Sequence, residues 1–405
     1  MATPTKIKHL VVGTPQGVAG DLLKEARYAF NYSARESECE VSLTMPLRAE
    51  SYAAGALLPI FEMNHPEGYL LYKIEEAFAK VGGLDDMRLL DIVGGEQIGR
   101  LSYARPQEQR AAKSRQIGLA EILKRQPTSE LFDFLVATYF ESGISGVQPK
   151  VLVPDADRPA RVPAGRETVV HADLIVKSGG DEFPHLAQNE FMCLSAARAA
   201  GIETPRFWLS DDGGLLVVER FDLKDGNALG FEDMAVLMNK TSRRKYEGSY
   251  ENVAKAVRLY CSEADPLADL GRLFAYIAFT VMVRNGDGHL KNFGLLYEHP
   301  ADRHSVRLAP LYDVVTTSLY GFTHPRTYLT KYDRTLALKL SKSRDYPDLD
   351  TLLDFGRDHC GVVRPEEVFE RIADALSDTL KGNRGRIPED LWRGLESEWG
   401  MPAKK

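Results

Sequence analysis

The chain has 405 residues, 44% of them apolar and 27% charged, with a formal net charge of −7. That balance suits a globular protein able to bury one large core or two to three smaller ones, and it offers no global attraction for nucleic acid. No apolar run approaches the roughly 18 residues of a bilayer span and residues 1–13 lack a long apolar h-region, so neither export nor a membrane span is expected.

Cys39, Cys193, Cys261 and Cys360 are scattered with no CxxC spacing, which argues against a zinc site or a disulfide framework and suits a reducing cytoplasm. Residues 6–106 mix strand-like runs, at 9–12 and 39–44, with helical patches such as 70–81, and their side chains suggest no chemistry. Residues 105–116 are polar and charged, as linkers are, so a domain boundary is expected between 105 and 125. The loop Ser142-Gly143-Ile144-Ser145-Gly146-Val147-Gln148-Pro149-Lys150 then enters a strand. Its glycines let backbone N–H groups come close to phosphate oxygens, but it is neither a Walker A motif nor GxGxxG, and a surface turn explains it as well.

From about 130 to 225 the pattern is sheet-rich, with strands over 168–177 and 214–221 and, between them, a helix over 186–200 ended by Gly201. Lys177 closes the first strand, where a lysine can pair with nucleotide α/β-phosphates or simply be solvated. Glu190 is placed to hold Lys177, although Asn189-Glu190 also suits an exposed first turn. Glu219, Arg220 and Phe221 end the second strand, where an inter-lobe hinge would meet adenine; Phe221 reads equally well as core.

Beyond 226 the pattern is mostly helical, notably over 252–261, 267–283 and 365–380. Arg243-Arg244-Lys245 reads as a solvated basic face rather than a phosphate contact. The apolar run 273–283 predicts a buried helix that releases a polar loop, Arg284-Asn285-Gly286-Asp287-Gly288-His289-Leu290-Lys291-Asn292. Gly286 and Gly288 favour a tight bend around Asp287, and 293–296 resumes as a strand. Phosphoryl transfer needs a carboxylate to take the hydroxyl proton and ligands that hold Mg²⁺ against the nucleotide phosphates. Asp287, then Asn292 five positions on, then Asp313 in Leu311-Tyr312-Asp313, supply such a set. An Asp–Asn pair at that spacing arises about once by chance in a chain this long. Order is what selects it: Gly/Ser loop, strand lysine, helix glutamate, hinge, catalytic Asp with its Asn, then metal Asp.

In that order the residues resemble the HipA family of bacterial serine/threonine kinases, the toxins of type II toxin–antitoxin pairs, over nearly the whole chain. The most specific pieces are Ile144-Ser145-Gly146-Val147-Gln148-Pro149-Lys150, Val218-Glu219-Arg220-Phe221-Asp222, Lys245-Tyr246-Glu247-Gly248-Ser249-Tyr250-Glu251, the loop from Asp287 to Phe293, and Leu311-Tyr312-Asp313. Ser42-Leu43-Thr44-Met45-Pro46-Leu47 and Asn64-His65-Pro66-Glu67-Gly68 are similar to the family's amino-terminal subdomain.

The resemblance implies an α+β, two-lobed protein-kinase-like fold: an amino-terminal subdomain over 1–115, a β-rich kinase N-lobe over 116–225 and a mainly helical C-lobe over 226–405. It implies Asp287 as catalytic base, with His289 and Lys291 lining the catalytic loop near the γ-phosphate, and Asn292 and Asp313 as Mg²⁺ ligands. Lys177 would be the phosphate-pairing lysine. Ser145, Gly146, Val147, Gln148, Pro149 and Lys150 would form the phosphate loop, and Glu219, Arg220 and Phe221 would meet the adenine of ATP. It further implies a cytoplasmic kinase that arrests growth by phosphorylating a protein, an aminoacyl-tRNA synthetase or another translation component. Its expected partner is a HipB-like helix-turn-helix antitoxin, through which alone it would reach DNA; no membrane partner is expected.

Family loops commonly carry a serine where Gly143 stands, and phosphorylation of a loop serine ejects the loop. Ser145 remains here, and phosphate added there would clash with bound ATP phosphates, so Ser145 is the expected autophosphorylation site. Two other readings stay open. A small-molecule phosphotransferase of the aminoglycoside type reads HGDxHxxN where this chain has Asn285-Gly286-Asp287-Gly288-His289, a partial match. An inactive pseudokinase or scaffold would co-repress with an antitoxin, and ATP binding without transfer would mark it.

Overall fold

A computed structural model describes residues 6–65, 84–94, 97–106, 119–124, 150–153, 173–178, 183–261, 263–323, 330–332 and 334–400. The predicted helical patch at 70–81, most of the 105–116 linker, the loop 142–149 and residues 168–172 lie outside them.

Strands β1 (His9–Thr14), β2 (Gly17–Lys24), β3 (Tyr28–Tyr32), β4 (Tyr52–Ala54) and β5 (Ser102–Ala104) form a sheet in the order β4-β3-β2-β1-β5. In β1, Leu10 and Val12 are fully buried while their neighbours are not, the alternation of a strand with one covered face. Helices α1 (Pro59–Glu62) and α2 (Asp86–Val93) bring Phe61, Met87 and Leu90 to that face. Phe61 meets Phe30 at 5.2 Å, and each such ring is worth about 1.5–3 kcal/mol in burial.

Residues 39–44 are not the strand that their sequence suggests. After a short 3-10 turn at Ser37–Cys39, the amides of Val41, Leu43 and Thr44 bond to side chains instead of a neighbouring strand. Val41 N–H donates to the Tyr32 hydroxyl at 3.0 Å and Leu43 N–H to Glu232 Oε1 at 2.6 Å.

A second sheet, ordered β6-β7-β9-β8, joins β6 (Lys150–Val153), β7 (Leu174–Ser178), β8 (Phe207–Leu209) and β9 (Leu215–Glu219). The two central strands are continuous apolar runs, 174–176 and 215–218, and all of those residues are buried. α3 (Leu119–Lys124) precedes this sheet, and α4 (Leu186–Ala199) packs on it. α4 gives way at Gly201, which is left-handed with φ 71° as the sequence predicts.

The hairpin β10 (Leu223–Lys224) and β11 (Asn227–Ala228) leads into β12 (Gly230–Asp233), which pairs with β13 (Gly294–Tyr297) and through it with β14 (Arg307–Leu308). Around them lie α5 (Met234–Leu237), α6 (Tyr250–Tyr260), α7 (Pro266–Met282), α8 (Leu349–Cys360), α9 (Pro365–Gly382) and α10 (Glu389–Glu398). Small hairpins β15 (Gly321–Thr323) with β16 (Thr330–Tyr332) and β17 (Thr335–Leu340) with β18 (Ser343–Asp345) complete the set. α7 is the axis of this part. Pro266 opens it, the Asp265 side chain accepts from Ala268 N–H at 3.0 Å, and nearly every residue from Leu270 to Met282 is buried.

Two polar knots tie the first sheet to the rest. The fully buried Glu232 carboxylate accepts from Ser42 Oγ at 2.7 Å, Leu43 N–H at 2.6 Å and the Tyr297 hydroxyl at 2.6 Å. Burial outweighs those bonds and pushes its pKa up to about 7. Asp222, also fully buried, accepts from Gly99 N–H and from the Arg220 guanidinium, both at 2.6 Å.

Candidate active site

At the end of α7 the chain turns through Arg284, whose φ of 55° lies in the left-handed region, and Asn285 N–H donates to the Thr280 carbonyl at 3.0 Å. The chain therefore turns first at Arg284 and again at Gly286–Asp287, the bend that the sequence predicts. Gly286 and Gly288, neither of them left-handed, are required for space. A Cβ on Gly286 would lie 2.7 Å from the Thr335 carbonyl oxygen, and one on Gly288 would lie 2.9 Å from Thr280 Cγ2. Short-range bonds then fix the loop: Asp287 N–H donates to Asn285 Oδ1 at 3.1 Å, and His289 N–H to the Asp287 carbonyl at 2.7 Å and to Asn292 Oδ1 at 3.0 Å. Gly286 N–H donates to Thr317 Oγ1 at 2.6 Å, which joins the loop to the segment after Asp313.

Lys177 is 95% buried, its relative exposure being 5%, and its ammonium donates to Glu190 and, at 2.8 Å, to Asp313 Oδ1. Burial by itself would lower the lysine pKa, but the Asp313 and Glu190 carboxylates outweigh it and hold the ammonium above its ordinary range. Asn189 and Glu190 are buried rather than an exposed first turn. Asn189 exchanges two bonds with the backbone of Thr316, donating to its carbonyl at 3.1 Å and accepting from its N–H at 2.9 Å. One helix thus pairs the lysine and grips the chain just past Asp313.

Asp313 has a φ of 58°, a conformation that few non-glycine residues adopt, and its Oδ2 accepts from Asn292 Nδ2 at 3.2 Å. Asp313 and Asn292 thus bring two oxygen-bearing side chains into contact, a donor set that fits a hard divalent cation able to draw its other oxygens from phosphates and water. Lys177 and Asn292 now donate to the carboxylate oxygens that such a cation would take.

Phe221 stacks on Tyr312 with ring centres 5.0 Å apart, and Phe231 meets both rings edge-on. The Tyr312 hydroxyl donates to the Lys291 carbonyl at 2.8 Å, so this aromatic group reaches from the segment just past β9 to the loop after α7. Glu219 accepts two bonds of 2.5 Å from Arg206, and the Arg220 guanidinium faces inward to Asp222 and the Gln97 carbonyl. Lys291 donates to the Met63 carbonyl at 3.2 Å and to Ser242 Oγ at 3.3 Å.

Two family models match the chain: the HipA N-terminal domain over residues 10–104 and the HipA-like C-terminal domain over residues 142–382. The chain belongs to the HipA family. It is 26% identical over 313 residues to the putative kinase Y4mE of Sinorhizobium fredii, 72% of this chain and 71% of that protein. The putative kinase Y4dM of the same organism is 30% identical over 161 residues, 36% of this chain and 38% of that one. HipA of Shewanella oneidensis, solved in a complex with HipB and its operator DNA, superposes with a TM-score of 0.70 at 18% identity, covering 96% of this chain and 95% of that one. The fold is accordingly α+β and of the HipA type.

In this HipA-family chain Lys177, Asp313 and Asn292 meet through direct contacts, and Asp287 and His289 share their loop with Asn292. Ser145, Gly146, Val147, Gln148 and Pro149 lie outside the described residues, and Lys150 is described only as the first residue of β6, where it pairs in register with Lys177. The basic cluster at 243–245 divides: Arg244 pairs with Glu247 at the surface, while Lys245 is buried. Sequence reasoning gave no role to Tyr246, whose hydroxyl donates to Asp287 Oδ1 at 2.8 Å, or to Asn189 and Tyr312. Their one signal was that Tyr246 and Tyr312 stand inside the motifs that carry the family resemblance. Among the described residues no helix is long and apolar enough to cross a membrane.

Proposed function

We propose that this HipA-family chain is an ATP- and Mg²⁺-dependent serine/threonine protein kinase, the toxin of a toxin–antitoxin pair. One observation carries the reading: Asp313 touches both Lys177, at 2.8 Å, and Asn292, at 3.2 Å, in the loop that presents Asp287. In this reading Lys177 turns from Asp313 to the α/β-phosphates of ATP while Glu190 keeps its orientation. Asn292 and Asp313 would hold the metal, which would supply charge stabilisation at the transferring phosphoryl group. Asp287 takes the proton of the acceptor hydroxyl, and His289 and Lys291 line the loop beside it.

Residues 145–150 form the phosphate loop, with Ser145 as the autophosphorylation site. Adenine lies against Glu219, Arg220 and Phe221, through backbone and the Phe221–Tyr312 stack, since the Arg220 side chain is engaged with Asp222. The units are 1–115, 116–225 and 226–405. The substrate is a protein of the translation apparatus such as an aminoacyl-tRNA synthetase, the partner a HipB-like antitoxin that brings the chain to DNA, and the compartment the cytoplasm.

Calorimetric titration with ATP, with and without Mg²⁺, tests the assignment. Wild type should bind more tightly with the metal, Asp313→Ala should lose that difference, and Lys177→Ala should weaken nucleotide binding under both conditions. Equal binding by all three proteins would contradict it.

A further inference from the structure

Tyr246 belongs to the segment 245–251, which stands out in the sequence yet takes no part in the chemistry assigned above. Its hydroxyl donates to Asp287 Oδ1 at 2.8 Å, and its ring meets the His289 ring edge-on at 5.1 Å. The backbone around it is held from several sides. The Tyr246 carbonyl accepts from the Arg344 guanidinium at 2.6 Å, the Lys245 carbonyl from Leu290 N–H at 3.1 Å, and the Gly248 carbonyl from Lys339 N–H at 3.3 Å. The residue itself is 39% exposed. A side chain open to solvent on an anchored backbone can swing away by rotamer change without unfolding its loop.

A general base acts on a hydroxyl that lies within about 2.6–3.2 Å of its carboxylate. The Tyr246 hydroxyl meets that condition and occupies the place. We propose that Tyr246 is an internal occupant of the acceptor position: its phenol caps Asp287 until the serine or threonine hydroxyl of a protein substrate displaces it. The inference rests on the kinase reading and adds its regulation. The cap also keeps water off the base. In hydrolysis a water oxygen would form the new bond to the γ-phosphorus, pass its proton to Asp287, and release ADP with the β–γ bridging oxygen. A phenol that holds the carboxylate suppresses this loss until an acceptor arrives.

The size of the effect follows from the bond. A hydrogen bond to a carboxylate favours the capped state over the open one by about tenfold or more. Apparent affinity for an acceptor is then reduced by the open fraction, while the rate at saturation is not. Tyr246→Phe keeps the ring against His289 and removes only the hydroxyl; Tyr246→Leu removes the ring as well.

The test is hydrolysis of Mg·ATP with no added protein, then transfer to dephosphorylated casein, for wild type, both Tyr246 variants, Asp287→Gln and the double variant Tyr246→Phe/Asp287→Gln. Hydrolysis should rise about tenfold in both Tyr246 variants, the KM for casein should fall by a similar factor with kcat unchanged, and the double variant should lose the gain. Wild-type hydrolysis above that of Asp287→Gln, together with an equal or slower Tyr246→Phe, would overturn the cap while leaving the kinase reading standing. A kcat that falls with KM unchanged would make Tyr246 a positioning residue and overturn the cap as well. If neither wild type nor the Tyr246 variants exceed Asp287→Gln, the kinase reading fails and the cap fails with it.

Discussion

The Lys177 ammonium and the Asp313 carboxylate, 136 positions apart in the chain, lie 2.8 Å from each other. A strand of the second sheet thereby meets the segment that follows β14. Glu190, with 1% of its surface exposed, shares the same ammonium.

Removing the lysine alone should be costly. Lys177→Met deprives two carboxylates of the cation that faces them, and breaking a buried pair in this way destabilises by about 3–5 kcal/mol. Urea unfolding should show the midpoint fall with little change in slope. The double variant Lys177→Met/Glu190→Leu should recover much of the loss, because the more deeply buried of the two carboxylates is then gone and Asp313, 26% exposed, still reaches solvent. A single variant as stable as wild type would contradict the buried ion pair.

Gly286→Ala should reduce turnover without unfolding the protein. The added Cβ would meet the Thr335 carbonyl oxygen at 2.7 Å and Thr317 Oγ1 at 3.0 Å, so the loop carrying Asp287 must move. A displacement of about 1 Å in a catalytic group costs on the order of 10²-fold in rate. Gly271→Ala is the control. It sits in α7 with nothing within 4 Å of its Cβ, and should leave phosphotransfer unchanged while adding about 0.5–1 kcal/mol of stability.

Stability should also depend on pH through Glu232. Unfolded, this carboxyl loses its proton near its ordinary pKa of 4.5; folded, burial raises the value to about 7. Between those values the folded state holds the extra proton, so stability falls as pH rises, by about 3 kcal/mol across the window, and is flat in this group above pH 7. Glu232→Gln cannot ionise and should remove that slope, which urea midpoints measured at pH 5 and pH 8 would reveal. An unchanged slope in the variant would assign the pH dependence elsewhere.

Much of the framework is legible locally. The apolar run of α7, the loop after it and the strand β13 follow from residue pattern, and Gly201 marks the end of α4 because a left-handed residue is needed there. What is not legible depends on partners far along the chain. Residues 39–44 look like a strand, yet Leu43 N–H bonds to a glutamate 189 positions away. Lys245 looks like part of a solvated cluster but is buried, its carbonyl accepting from Leu290 N–H. Asn189 looks like an exposed first-turn residue, yet it grips Thr316, 127 positions on. A further turn, at Arg284, precedes the expected one at Gly286–Asp287, and no glycine marks it.

The central claim is that Asp287 is the base of a protein-directed phosphotransfer reaction. Its most direct test is transfer of labelled γ-phosphate from Mg·ATP to the proteins of a cytosolic extract, comparing wild type with Asp287→Gln. The account predicts a discrete labelled protein with wild type and a loss of about 10²–10⁴-fold in its rate of labelling with the variant, whose nucleotide affinity stays near wild type. Nucleotide binding by wild type with no label on any protein, or equal labelling by both, would contradict it.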